Sequence, residues 1–197
     1  MIDYKKDIEI DKLSISEPEK KEDKWVMKVL YEDSCLSFQT SSLKLHKDDK
    51  LIEFDSSKKR EFFKFIDSLE SSVVDYLHQN SQKLFKGKVF SKDKLRQSLV
   101  TSWNVSDEGI VYLDITDDMI KGAKFLSAFG DPIEYNELSQ NVICIVILDS
   151  INFSKNEFEL KYTLSHIKSK RVDNVKESFF SKKDTLVEDD KLDFFNE

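Results

Sequence analysis

Two adjoining stretches leave this chain little freedom in how it folds. "NVICIVILD" (141–149) is an unbroken run dominated by β-branched and other apolar residues, the pattern of a strand buried on both faces. "FELKYTLSHI" (158–167) alternates: Phe158, Leu160, Tyr162 and Leu164 on one face, Glu159, Lys161, Thr163 and Ser165 on the other. A period of two sets one face against a core and the other toward water. "FSKN" between them supplies a turn. An antiparallel hairpin of 141–151 with 157–167 is therefore expected.

Upstream, Trp25, Met27, Val29 and Tyr31 alternate with Val26, Lys28 and Leu30 in "KWVMKVLYED", which predicts a strand. "CLSFQT" (35–40), "LIEF" (51–54) and "GIVYLDI" (109–115) read as further short strands. Between them the period changes. Phe62, Phe65, Ile66, Leu69, Val73, Tyr76 and Leu77 follow helical spacing, so a helix is predicted over about 58–80, with 55–57 available to cap it. A shorter helix is expected over about 91–100, with Ser91 as its N-cap. Asp117 and Asp118 read as a turn or helix cap. Short antiparallel strands around one long helix give the fold class: α+β, mainly antiparallel β, an OB-like barrel with a long helical insertion.

The chain has 197 residues, enough for one domain with appendages. "SEPEKKEDK" (16–24) buries too little apolar surface to offset ordering entropy. Residues 1–23 are accordingly expected to be a flexible arm, 24–176 the OB-like domain, and 177–197 an acidic tail. Two cysteines, Cys35 and Cys144, are too few for a disulfide framework and point to a reducing compartment. No stretch approaches 18 apolar residues, and the N-terminus carries acids where a signal peptide needs an apolar run. The chain reads as soluble and intracellular, with no membrane partner.

Charge is distributed unevenly. The formal net charge is -7, yet Lys83, Lys86, Lys88, Lys92, Lys94 and Arg96 are opposed over 83–96 only by Asp93. A second cluster holds Lys161, Lys168, Lys170, Arg171 and Lys176 against Asp173. Lysines at this density neutralise phosphates and release counterions. Phe85 and Phe90 lie among the first cluster, and exposed aromatics stack on unpaired bases without regard to sequence. Tyr162 is a third candidate for stacking and Trp103 a weaker one. The tail ends in Phe194 and Phe195 among acids. Such a segment can fold back onto a cationic groove or present its aromatics to partner proteins.

Little points to catalysis. There is no Walker A, GxSxG, CxxC or HExxH, and His46, His78 and His166 have no ligand spacing. With four glycines, no phosphate-cradling Gly loop is present. No catalytic residue, metal ligand or cofactor is expected. One alternative stays open: Asp149, Glu159 and Lys161 form D-x9-E-x-K, similar to the signature of Mg-dependent nucleases, in which two carboxylates hold the ion and a lysine orients water.

The order of pieces from about Ile52 to Arg171 resembles the OB-fold single-stranded DNA-binding proteins of nucleocytoplasmic large DNA viruses. The pieces are the helix "FFKFIDSLESSVVDYLHQNS", the loop "LFKGKVFSKDKL", the strand "VYLDI" and the closing "VICIVILDSINFSKNEFELKYTLSHIK". Phe85, Gly87 and Lys88 stand where that family has an aromatic-Gly-Lys loop, and Lys161 and Tyr162 where it tends to have an aromatic-basic pair. Leu84 before Phe85, Lys86 before Gly87, and Asn152 depart from the pattern.

The resemblance implies sequence-independent binding of single-stranded DNA in viral replication, recombination or repair, at replication sites in the host cytoplasm or nucleus. The expected contacts are Lys83, Phe85, Lys86, Lys88, Phe90, Lys94, Arg96, Lys161, Tyr162, Lys168, Lys170 and Arg171. Replication proteins are expected to meet the tail through Phe194 and Phe195. RNA in place of DNA, self-association as a homo-oligomer, the nuclease, and a protein-interaction or virion role remain open alternatives.

Overall fold

A computed structural model of the chain describes residues 8–54, 59–106 and 110–170. In chain order these form β1 (Leu13–Ile15), β2 (Glu19–Lys21), β3 (Lys24–Tyr31), β4 (Ser34–Gln39), β5 (Leu43–His46) and β6 (Leu51–Phe54). Three helices follow, α1 (Lys59–Gln79), α2 (Ser81–Leu84) and α3 (Lys92–Ser98). Then come β7 (Leu99–Val100), β8 (Asn104–Val105), β9 (Val111–Asp114), α4 (Asp117–Ile120), β10 (Lys124–Leu126), β11 (Asn141–Phe153) and β12 (Phe158–Ser169).

The fold is α+β and mainly antiparallel, organised by the hairpin that the sequence patterns predict. β11 pairs with β12 along its whole length. Its other edge takes β5 at Asn141–Val142, β4 at Ile145–Leu148 and β3 at Ser150–Phe153. From β5 the sheet passes through β6, β9 and β8. The segment 99–105 then changes partners: β7 lies parallel to Phe158–Glu159 of β12, whereas β8 pairs with β9. Ser102 Oγ, at the crossover, donates to the Leu160 carbonyl at 2.9 Å. The circuit β11-β5-β6-β9-β8/β7-β12 thereby returns to β11, consistent with an OB-like barrel.

Helix α1 belongs to the insertion between β6 and β7. Phe62, Phe65, Ile66, Leu69, Val73, Val74 and Leu77 are buried, the face that its spacing specifies. Each such side chain contributes roughly 1.5–3 kcal/mol. Phe62 stacks on Phe54 with ring centroids 4.1 Å apart and meets Trp103 edge-on at 5.2 Å. Among the described residues, no helix is long and apolar enough to cross a membrane.

Two bulges set which residues of the hairpin face outward. Leu148 pairs with Tyr162 and Ser150 with Lys161, leaving Asp149 as the extra residue on β11. Ile145 pairs with His166 and Val146 with Leu164, leaving Ser165 extra on β12. A bulge inverts the alternation beyond it. Buried Tyr162 and Leu164 are therefore followed by buried Ile167 and Ser169, with His166 and Lys168 only half-buried.

The expected N-terminal arm needs correction. β1 pairs with Val29–Tyr31 and β2 with Lys24–Val26, and Ile8, Leu13 and Ile15 are buried in the core. Composition alone missed this, because Leu13 and Ile15 alternate with serines outside the polar run that dominates the segment. β5 was also missed, although Leu43 and Leu45 alternate. The expected cap at 55–57 lies outside the described residues. Asp117 and Asp118, read as a turn or helix cap, occupy the first turn of α4, behind its N-cap Thr116.

Candidate nucleic-acid interface

One end of the barrel carries a cleft of about 540 Å³. Three pieces distant in sequence build it: Pro18 just before β2 with Trp25 at the start of β3, the α2–α3 loop with α3, and the turn joining β11 to β12. Its walls include Trp25, Phe85, Phe90, Phe153 and Phe158, with Lys86, Lys88, Lys94 and Lys155 among them.

The α2–α3 loop has a defined shape. After α2, Gly87 N–H donates to the Gln82 carbonyl at 2.7 Å, the 6→1 bond of a helix-ending motif. Lys86 and Gly87 both take left-handed backbone, φ +52° and +86°; Gly adopts this freely and Lys does not. The chain then runs to Ser91, whose Oγ accepts from Lys94 N–H at 3.3 Å and caps α3, as expected. His78 Nδ1 donates to the Phe90 carbonyl at 2.8 Å, since a carbonyl can only accept. Lys92 pairs with Asp75, and the Arg96 guanidinium reaches Ser71 Oγ at 3.4 Å. Three contacts thus pin the loop to α1.

The aromatics form a ladder. Phe90 meets Phe85 edge-on at 5.0 Å, Phe85 meets Phe153 at 5.6 Å, and Phe153 stacks on Phe158 at 5.2 Å with planes 25° apart. Lys94 Nζ lies 5.4 Å from the Phe90 centroid, within cation–π range. Trp25 is directly opposite Phe153 in the β3–β11 register and is 43% exposed. Val89, at the loop's tip, is 70% exposed. The cleft therefore offers flat apolar surfaces bordered by ammonium groups.

The expected contact residues divide. Phe85, Lys86, Lys88, Phe90 and Lys94 line the cleft. Lys83 is exposed on α2 but not among the lining residues, and Arg96 turns toward α1. Lys161 stands half-buried opposite Ser150. Lys168 and Lys170 lie at the other end of β12, ten and twelve residues beyond Phe158; at roughly 3.3 Å per residue Lys168 is about 33 Å away. The single groove expected from both clusters is thus two separate places. Arg171, Phe194, Phe195 and the acidic tail lie outside the described residues.

Tyr162 corrects the stacking assignment. It is 2% exposed and packs 5.5 Å from Trp103 inside the barrel. Burial, with the Glu70 carboxylate adding to it, pushes its phenol well above the usual range. Trp103 is 5% exposed. Neither ring can reach a base without unfolding the core. Burial likewise pushes the Glu70 carboxyl up, opposed by a hydrogen bond from Thr101 Oγ1.

The nuclease constellation is not assembled. Asp149 is the bulge residue, and Glu159 pairs in register with Asn152, three residues and roughly 10 Å further along the strand. Lys24 Nζ contacts the Glu159 carboxylate at 3.4 Å and Asn152 Nδ2 donates to it at 3.2 Å. No group of three or more His, Cys, Asp or Glu side chains suited to a metal occurs among the described residues.

Sequence reasoning missed Trp25, Phe153 and Lys155 as cleft residues. Phe153 and Lys155 stood in the turn "FSKN", where an aromatic followed by a cation is the same signal as in the α2–α3 loop.

No family model matches the chain, and no curated protein does. Among solved structures, the chain is similar to the single-stranded DNA-binding protein from bacteriophage Enc34 in complex with ssDNA, at 12% identity and a TM-score of 0.43, covering 80% of this chain and 96% of that one. The C-terminal truncation of the same phage protein gives 13% and 0.44, covering 85% and 98%. A likeness this distant leaves function to be argued from the cleft.

Proposed function

We propose that this protein binds single-stranded DNA, independently of sequence, at the cleft between Trp25, the α2–α3 loop and the β11–β12 turn. One observation carries the reading: a rigid cleft joins four lysines to a ladder of aromatics. Lys86, Lys88, Lys94 and Lys155 neutralise phosphates and release counterions. Trp25, Phe85 and Phe90 offer faces to unpaired bases, which a duplex keeps stacked inside. The order of elements shared with the viral single-stranded DNA-binding proteins supports a role in viral DNA replication, recombination or repair. On this reading the acidic tail presents Phe194 and Phe195 to replication proteins, or returns to the cleft when DNA is absent.

The test is fluorescence anisotropy with labelled oligo-dT across a salt series, with and without Mg2+. Micromolar or tighter binding that weakens steeply with salt is expected. Magnesium-dependent shortening of the oligonucleotide would replace this reading with the nuclease, and an absence of binding at low salt would leave the cleft as a docking surface for a protein. An oligo-rU arm measures how far RNA substitutes for DNA.

A further inference from the structure

We infer that the strand held in the cleft continues along the outer face of β12 to a second contact at the opposite end, built from Phe129, Lys124 and Lys170. The inference rests on the reading above and adds to it two residues, Phe129 and Lys124, that neither basic cluster contains.

Phe129 is 77% exposed, the most exposed large apolar side chain among the described residues. It stands at the tip of a braced turn. Ser127 N–H donates to the Asp131 carbonyl at 2.8 Å, Gly130 N–H to the Ser127 carbonyl at 3.1 Å, and Phe129 N–H to Ser127 Oγ at 3.1 Å. Gly130 supplies the left-handed backbone, φ +95°. A braced turn differs from a frayed loop: the backbone that carries the ring is already held, and ordering it on binding costs little.

The register places this turn. β10 runs parallel to β12, with Lys124 opposite His166 and Leu126 opposite Lys168. Chain leaving Leu126 therefore advances beside Ser169 and Lys170. Lys170 is itself fixed, its N–H donating to the Asn141 carbonyl at 2.8 Å. Lys124 is exposed and Lys170 half-buried. Asp131 is the acid of the turn, and Ser127 Oγ contacts its carboxylate at 3.3 Å. Between the cleft and this turn, the bulge at Ser165 brings His166 and Lys168 onto the face that already bears Lys161 and Thr163. The path is thus polar, with Lys161 and Lys168 as its cations and Glu159, which Lys24 contacts, as its acid, and an exposed aromatic stands at each end.

Ten residues of strand separate Phe158 from Lys168, roughly 33 Å. An oligonucleotide of about four residues, even stretched to twice the stacked spacing of about 3.4 Å, cannot touch both ends. One of about twenty residues can, and it exceeds the usual site of one such barrel, about 4–16 nucleotides.

The experiment compares wild type and Phe129→Ala on oligo-dT of about four and about twenty residues at one low salt concentration. The expected result is an unchanged affinity for the short oligonucleotide and a loss of about tenfold on the long one, the scale of one lost stacking contact. Equal affinities for the long oligonucleotide in both proteins overturn the second contact while leaving the cleft reading intact. Equal losses on both lengths also overturn it, since they place the effect at the cleft or on the fold. Wild type that binds neither length removes the cleft reading and this inference with it. Thermal melting of both proteins separates a lost contact from a lost fold, and Lys124→Ala provides the same comparison without touching the turn.

Discussion

Trp25 and Phe153 face each other across β3 and β11, and both line the cleft. A cross-strand aromatic pair at a sheet's end gives a flat, rigid platform. The chain has two tryptophans, Trp25 at 43% and Trp103 at 5% exposure. Oligo-dT is therefore expected to quench the fluorescence of wild type and of Trp103→Phe, while Trp25→Phe loses the signal. Trp25→Ala is expected to weaken binding by roughly 1–3 kcal/mol. Unaltered affinity and undiminished quenching in that variant would remove Trp25 from the site.

The lysines separate by position. Lys88 lines the cleft, whereas Arg96 reaches Ser71 on α1. Lys88→Ala is expected to weaken binding and to reduce the slope of log K against log salt by about 0.7 to 1. Arg96→Ala is expected to leave that slope nearly unchanged. Salt titrations of both variants check this, and equal slopes for the two would contradict the assignment.

The barrel was legible in the sequence because its signals are local. The alternation at 158–167, the apolar run at 141–149 and the helical spacing of Phe62 to Leu77 each specify an element without reference to the rest. The cleft was legible only in part. Phe85, Lys88 and Lys94 announce themselves as an island of cations and aromatics. Trp25, Phe153 and Lys155 join them through the β3–β11 pairing, a long-range contact that no local pattern encodes. Tyr162 was misread for another reason. Its alternation with Leu160 and Leu164 places it inward, whereas the aromatic-basic pair that the family resemblance implies at Lys161 and Tyr162 pointed outward. The separation of Lys168 and Lys170 from the cleft follows from the length of β12, since proximity in sequence along a strand is distance in space.

Tyr162 offers a direct check of that correction. Its phenolic oxygen and Trp103 Nε1 are both buried, and the contact between them falls short of a well-formed hydrogen bond. A buried, unsatisfied hydroxyl costs about 1–3 kcal/mol. Tyr162→Phe removes the oxygen and keeps the ring, so stability is expected to hold or rise and oligo-dT affinity to stay constant. Tyr162→Ala leaves a cavity and is expected to cost about 3–5 kcal/mol, the scale of a large aromatic removed from a core. Chemical denaturation and anisotropy together decide the matter. A fold-intact Tyr162→Phe variant with weakened binding would return this ring to the interface.

Lys86 is where stability and binding part company. It holds a left-handed backbone, φ +52°, at the position where helix-ending motifs usually place glycine. Holding an L-residue there costs about 1–2 kcal/mol relative to its preferred conformations. Glycine meets no such penalty, although its unfolded chain is freer by up to about 1 kcal/mol. Lys86→Gly is therefore expected to stabilise the fold by a few tenths to about 1 kcal/mol. The same change removes an ammonium from the cleft, so affinity for oligo-dT is expected to fall and the salt slope to flatten. Thermal melting and salt-dependent anisotropy read the two effects separately. A more stable variant that binds less well means that the strain at Lys86 is retained for its charge. Lower stability with unchanged binding would show that the lysine serves the turn and not the cleft.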